Sequence, residues 1–155
     1  MDEAKYKAED VAKYILYELN KKNKKVNHLK LQKLLYYSQA WNLVFLEKPL
    51  FNEEFEAWVH GPVVREVWNC FKSESVLFND IENIEEVDVN FSDDEKDVIN
   101  DVLSAYGSKS GYYLEALTHQ EKPWMDAYKK GKNTVISKEE IREFYTKKYY
   151  GEKEA

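Results

Sequence analysis

Glycine is scarce in this chain, five residues in 155, and proline scarcer still at three. With so few residues suited to left-handed or rigid turns, long flexible loops and low-complexity linkers are not expected. The glycines form neither a Walker A loop nor a Gly-x-Gly-x-x-Gly turn, so nucleotide cradles are absent. Cys70 stands alone, which rules out a disulfide within the chain and agrees with a reducing, cytoplasmic setting. His28, His60 and His119 show no short metal-ligand spacing. His119-Gln120-Glu121 copies the His-x-Glu half of the zinc deaminase signature, but the Pro-Cys-x-x-Cys half is missing. A composite site with Glu56 or Glu121 is the one metal arrangement left open; no metal or other cofactor is expected. Long hydrophobic runs are also lacking: the most apolar stretch, Leu43 to Leu46, is far too short to span a bilayer. The chain opens Met1-Asp2-Glu3-Ala4, with no basic segment leading into an apolar core, so no signal peptide is expected. Positive charge is in deficit, with a net charge of −6 and a pI near 5.2. That balance has the wrong sign for general phosphate binding, and nucleic acid is not an expected partner. The one basic run, Lys21, Lys22, Lys24 and Lys25, reads as a solvated helix end where positive charge suits the dipole.

What is present points to a folded, mainly α-helical domain. Hydrophobic residues make up 43% of the chain and aromatics 15%, enough for one continuous core. The expected organisation is a single domain over residues 1–150 and a frayed tail over 151–155. The spacing predicts a compact helical bundle around a buried central helix, with a short β-like segment before a Gly-Pro turn. Val11, Tyr14, Ile15 and Leu19 form the stripe of a first helix. Asn27 is a suitable N-cap for a second, which runs to about Leu46. The apolar residues of that helix (among them Leu31, Leu34, Leu35, Tyr37 and Trp41) nearly encircle its axis, which marks it as the buried hub. Pro49 ends it, and an irregular link leads into the extended segment ending at Val59.

A third helix is predicted from Pro62, with Val63, Val64, Val67, Trp68 and Phe71 at helical spacing. Residues Ser73 to Phe91 read as an acidic surface excursion with a short strand around Glu86 to Val89. Ser92-Asp93-Asp94-Glu95 is a capping box before the stripe Val98, Ile99, Val102, Leu103 and Tyr106. Ser110 caps a short fifth helix to Thr118, and Pro123 and Trp124 start a further turn ending at Gly131. Ser137 begins the closing helix through Ile141, Phe144, Tyr145 and Tyr149.

The most informative segment is Phe55-Glu56-Ala57-Trp58-Val59-His60-Gly61-Pro62-Val63-Val64. It runs an aromatic, extended stretch into a Gly-Pro reversal with Glu56, Trp58 and His60 just before it. Together with Leu31-Gln32-Lys33-Leu34-Leu35-Tyr36-Tyr37 upstream and Leu117-Thr118-His119-Gln120-Glu121-Lys122-Pro123-Trp124 downstream, the ordered set resembles the SocA-like, or Panacea, antitoxin domain. That domain also occurs as a phage-associated, GepA-like protein. The resemblance spans Val26 to Trp124 and is looser beyond it.

The resemblance implies a cytoplasmic, non-enzymatic antitoxin that neutralises a cognate protein toxin by direct binding. A AAA+ protease, to which some members deliver their toxin as adaptors, is the second implied partner. Many relatives carry an extra DNA-binding or other region beside the domain; none is expected here, so autoregulation through a DNA-binding module of its own is not expected. The motif positions carried over as binding candidates are Glu56, Trp58, His60, Gly61, Pro62, Val63, Thr118, His119 and Trp124. Lys33, Leu34, Tyr36 and Ala57 complete the shared framework.

The residues taken one by one have structural readings as well. Cys70, beside the Val67/Trp68/Phe71 stripe, is expected to be a buried, inert thiol. His60 is expected to cover its turn, His119 to place a cationic ring at a helix end, and Thr118 to cap or bond locally. Trp41 is expected in the core with Trp68 and Trp124, and Trp58 to be partly exposed. Two other functions remain open. One is a small hydrolase or transferase using Glu56, His60 and His119 around one cleft, which requires all three within reach of a common substrate position. The other is a phage-encoded protein that binds a host component.

Overall fold

The structure, a computed structural model, describes residues 4–72, 77–82 and 84–151. The described residues form seven α-helices, and the central one, α2 (His28–Phe45), packs against α1 (Ala8–Lys21), α4 (Asp93–Tyr106), α5 (Gly111–His119) and α7 (Lys138–Thr146). The remaining helices are α3 (Arg65–Phe71) and α6 (Lys122–Lys130), and a π-helical turn, Lys147–Gly151, follows α7. The mainly α architecture around a central helix is as the apolar patterning requires. Leu31, Leu34, Leu35 and Tyr37 are fully buried, because apolar side chains on every side of one helix are satisfied only by surrounding it.

The helix starts obey side-chain chemistry. Asn27 accepts a hydrogen bond from the Lys30 backbone at 2.8 Å. Ser92 and Glu95 exchange the reciprocal bonds of a capping box, and Ser110 and Ser137 cap α5 and α7. The lysine run lies at and just after the end of α1, where Lys21 pairs with Glu18 and Lys22 is the C-cap.

A buried helix that carries polar side chains must find them partners, and α2 does so by tying down flanking backbone. The Gln39 amide accepts from the Leu50 N–H at 2.7 Å and donates to the Phe51 carbonyl at 2.8 Å. One heptad earlier, Gln32 accepts from the Val64 N–H at 2.9 Å and also donates to the Val64 carbonyl. Asn42 donates to the Lys48 carbonyl, and the buried Lys30 ammonium reaches the Gly107 carbonyl.

Three strands make a small antiparallel sheet of order β2-β1-β3: β1 is Phe55–Trp58, β2 Gly61–Val64 and β3 Thr134–Ile136. The third helix does not begin at Pro62. Residues 61–64 pair instead with β1, Trp58 opposite Gly61 and Phe55 opposite Val64, so the Gly-Pro element is the return arm of a hairpin. Gln32 and Lys33 fill the outer edge of that arm with side-chain bonds, and this extended backbone delays the helix to Arg65. β3 was not foreseen. Val135 faces Glu56 and Ile136 faces Phe55, a pairing across about eighty residues that local patterning cannot reveal.

No strand forms over 86–89, where the backbone is irregular. Part of the acidic excursion (73–76 and 83) lies outside the described residues, as does the expected tail beyond Gly151. Among the described residues, no helix is long and apolar enough to cross a membrane.

Candidate functional site

The three motif stretches meet where the β1–β2 turn packs on α2 and on the α5–α6 junction. Gly61 has φ +103°, a conformation that disfavours any side chain, and there is no room for one. A Cβ built there would lie 2.5 Å from Lys33 Cε and 3.0 Å from Thr118 Oγ1. The turn is therefore shaped by two of its own motif partners. Lys33 is fully buried and donates to the Pro62 carbonyl at 3.0 Å. Burial pushes its pKa down to about 7, with the Glu115 charge working in the opposite direction. Thr118 bonds locally, its hydroxyl donating to the Glu115 carbonyl at 2.8 Å. Val63 and Pro62 are buried, Val63 fully.

On the solvent side of the turn, His60 Nδ1 lies 2.9 Å from Glu115 Oε1, and its ring meets Phe78 edge-on. His60 is thus part of a half-exposed pair and also covers the turn. Behind it, His119 stacks on Trp124 at 4.1 Å between ring centroids, and the Trp124 indole donates to the Trp58 carbonyl at 2.8 Å. Burial lowers the His119 pKa; Glu115 and a hydrogen bond to the Val59 backbone act against that shift. Nε2 is buried without a hydrogen-bond partner among the described residues, and burial disfavours the charged ring. Burial thus works against the cationic cap expected at the end of α5, where the ring stacks on Trp124.

Glu56 belongs to a separate cluster. It takes two hydrogen bonds from Arg65, at 2.8 and 3.2 Å, and one from the Trp58 indole at 3.0 Å. Burial works to raise its pKa, and the Arg65 and Trp58 bonds outweigh it, leaving the carboxyl below its usual range. The Arg65 guanidinium also lies over the Trp58 ring at 5.2 Å, and Trp58 meets Trp68 edge-on. Trp58 is partly exposed, as anticipated, but Trp41, Trp68 and Trp124 are also only partly buried.

Cys70 departs from expectation. It is exposed, because α3 buries only Val67 and Phe71. Partial burial and the neighbouring Glu9 push its thiol up, so the thiolate is disfavoured.

Residue patterning missed the roles of Glu115, which faces His60, and of Glu121. Glu121 is a buried acceptor: Oε1 takes the hydroxyls of Tyr37 and Tyr145 at 2.6 and 2.8 Å, and Oε2 takes Lys148 at 2.9 Å. Burial and, for Tyr37, the Glu121 charge raise both phenols far above their ordinary value. The available signal was polar residues inside an apolar surround, which demand partners. Among the described residues, no group of three or more His, Cys, Asp or Glu is arranged to hold a metal ion.

Known proteins place this arrangement in a family. A stretch of 48 residues is 46% identical to Antitoxin SocA of Caulobacter vibrioides, covering 31% of this chain and 26% of that protein. The chain thus matches about a quarter of that relative's length. No solved structure matches. Residues 31–125 match the family described as "Antitoxin SocA-like, Panacea domain". That range holds most of the hub helix, the hairpin turn and the α5–α6 junction, and the chain belongs to the SocA-like, Panacea-domain antitoxin family.

Proposed function

We propose that the protein is an antitoxin that neutralises a cognate protein toxin by binding it directly, without turnover of its own. Family membership carries the reading, and the use made of the motif residues supports it. Lys33, Gly61, Thr118, His119 and Trp124 are spent on fixing one backbone turn against the hub helix. Rigid scaffolding of a surface is what a binding module needs, since affinity gains from preorganisation.

The hydrolase or transferase reading asks Glu56, His60 and His119 to converge on one substrate position. Each is otherwise engaged: Glu56 with Arg65, His60 with Glu115, and His119 with Trp124 and the Val59 backbone. The acidic balance of the chain favours a protein partner over nucleic acid.

Masking the toxin and delivering it to a AAA+ protease both begin with the same binding step. The test is co-expression with the product of each adjacent reading frame. Growth restored against a toxic neighbour, together with co-purification of the two proteins, supports the reading. Rescue that persists after all physical association is lost would overturn it. Rescue in cells lacking the protease would assign masking, and its loss there would assign delivery. Binding to a host protein with no toxic neighbour would favour the phage-type alternative.

A further inference from the structure

The end of α2, the face of α4 and the closing π-helical turn form a groove that the motif residues do not touch. It is a cavity of about 240 Å³ between Trp41 and Phe45 on one side and Val98, Val102 and Ala105 on the other, with Tyr149 across its end. Trp41 and Phe45 stack at 5.6 Å, and Phe45 meets Tyr149 edge-on at 5.0 Å. The Trp41 indole N–H is already used, donating to the Tyr106 hydroxyl at 3.2 Å. Apart from the Asp101 carboxylate, the walls therefore offer mainly apolar surface. Phe45 is 44% exposed and Tyr149 55%, so two large rings stand in water beside a partly exposed indole, an arrangement characteristic of interaction surfaces.

The charged residue in the groove's lining is acidic. Val98, Asp101, Val102 and Ala105 follow helical spacing, so Asp101 lies in the groove itself and Asp97 one turn before it. Both are exposed, and neither has an ion-pair partner among the described residues. Asp93 and Asp94 at the start of α4 suit the helix dipole, but like charges at 97 and 101 are spaced i, i+4 and oppose helix stability. Folding alone gives no reason for that pair beside an apolar groove; a cationic partner does.

We infer that this groove is where the toxin docks. The occupant is an amphipathic segment of the partner that inserts one large apolar side chain against Trp41 and Val102 and sets Lys or Arg against Asp97 and Asp101. The inference rests on the antitoxin reading and adds the surface and the chemistry of the partner. Another occupant fits poorly: a second copy of this chain would bring the same carboxylates together.

The test uses the product of the adjacent reading frame whose toxicity this protein relieves. A photo-crosslinking amino acid is placed at Ala105 in the groove or at Tyr112, which belongs to the separate exposed patch with Phe78. The paired variant Asp97→Asn/Asp101→Asn is titrated against the same partner at low and high salt. The inference expects crosslinking at Ala105 and not at Tyr112. It also expects the paired variant to melt no lower than the parent, bind at least tenfold more weakly and lose most of its salt dependence. Tight binding with crosslinks only at Tyr112 and an unaffected Asn variant would overturn the groove and leave the antitoxin reading standing. Failure of the parent protein to rescue or bind any neighbour would remove that reading and this inference with it.

Discussion

Replacing Lys33 with Met tests the central packing of the motif. The Lys33 amine is fully buried, with the Pro62 carbonyl as acceptor, and burial holds its pKa near 7. In the unfolded chain the same amine titrates near its ordinary value of 10.5. Below about pH 7 both states carry the proton and the fold bears the cost of a buried charge. Between about 7 and 10.5 the unfolded chain holds more protons than the native one, so stability rises with pH across that window.

Each pH unit of difference is worth about 1.4 kcal/mol, and the whole window is on the order of 2–5 kcal/mol once water penetration is allowed for. Met keeps a similar stem and removes the titration. It gives up one hydrogen bond, worth about 1 kcal/mol, and leaves the Pro62 carbonyl unpaired at a further cost of about 1–3 kcal/mol. The expected outcome is that the difference in stability between wild type and Lys33→Met shifts toward wild type by at least about 1 kcal/mol between pH 6.5 and 9. Urea unfolding of both proteins at each pH supplies the measurement, and the difference cancels other groups that titrate in the range. Parallel pH profiles would refute the buried, readily deprotonated amine.

Gly61→Ala should cost about 1–3 kcal/mol from backbone strain alone, and Gly61→Val more, because φ +103° is compounded by contact with Lys33 and Thr118. Melting curves settle it, and an undisturbed Gly61→Val protein would refute the account of the turn. Leu34→Ala or Leu35→Ala should cost about 2–5 kcal/mol, since both leave cavities in the hub; unchanged urea midpoints would misplace the core. Glu121→Gln should destabilise by about 1–3 kcal/mol, because charge-assisted bonds from Tyr37, Tyr145 and Lys148 are weakened. Equal thermal stability of the two proteins would deny that cluster its role. His60→Ala should change stability by less than about 1 kcal/mol, as expected for a half-exposed pair, and should retain rescue of growth. Complete loss of function with the fold intact would revive an enzymatic role for His60.

The hub helix was legible because its apolar residues leave no solvated face, and three serine caps and Asn27 marked helix starts correctly. The hairpin was half legible. Gly61 announced a reversal, but Pro62 satisfies both a helix start and an edge strand, and only the facing Gln32 and Lys33 side chains decide between them. β3 was hidden because strand pairing across about eighty residues leaves no local periodicity. Cys70 was misplaced because apolar neighbours in sequence are not neighbours in space on a two-turn helix whose buried residues are only Val67 and Phe71. The motif positions do gather around one turn, yet Glu56 and His60 point to different partners, Arg65 and Glu115, which no spacing rule foretells.

Direct binding is the core of the functional account, and calorimetric titration of the purified protein against the purified toxic neighbour tests it most directly. The account predicts a saturable, stoichiometric complex in which toxin activity is lost with no protease present or, for an adaptor, a complex that leaves toxin active until the protease is added. No heat of binding and no complex, from a protein that still restores growth in cells, would contradict it.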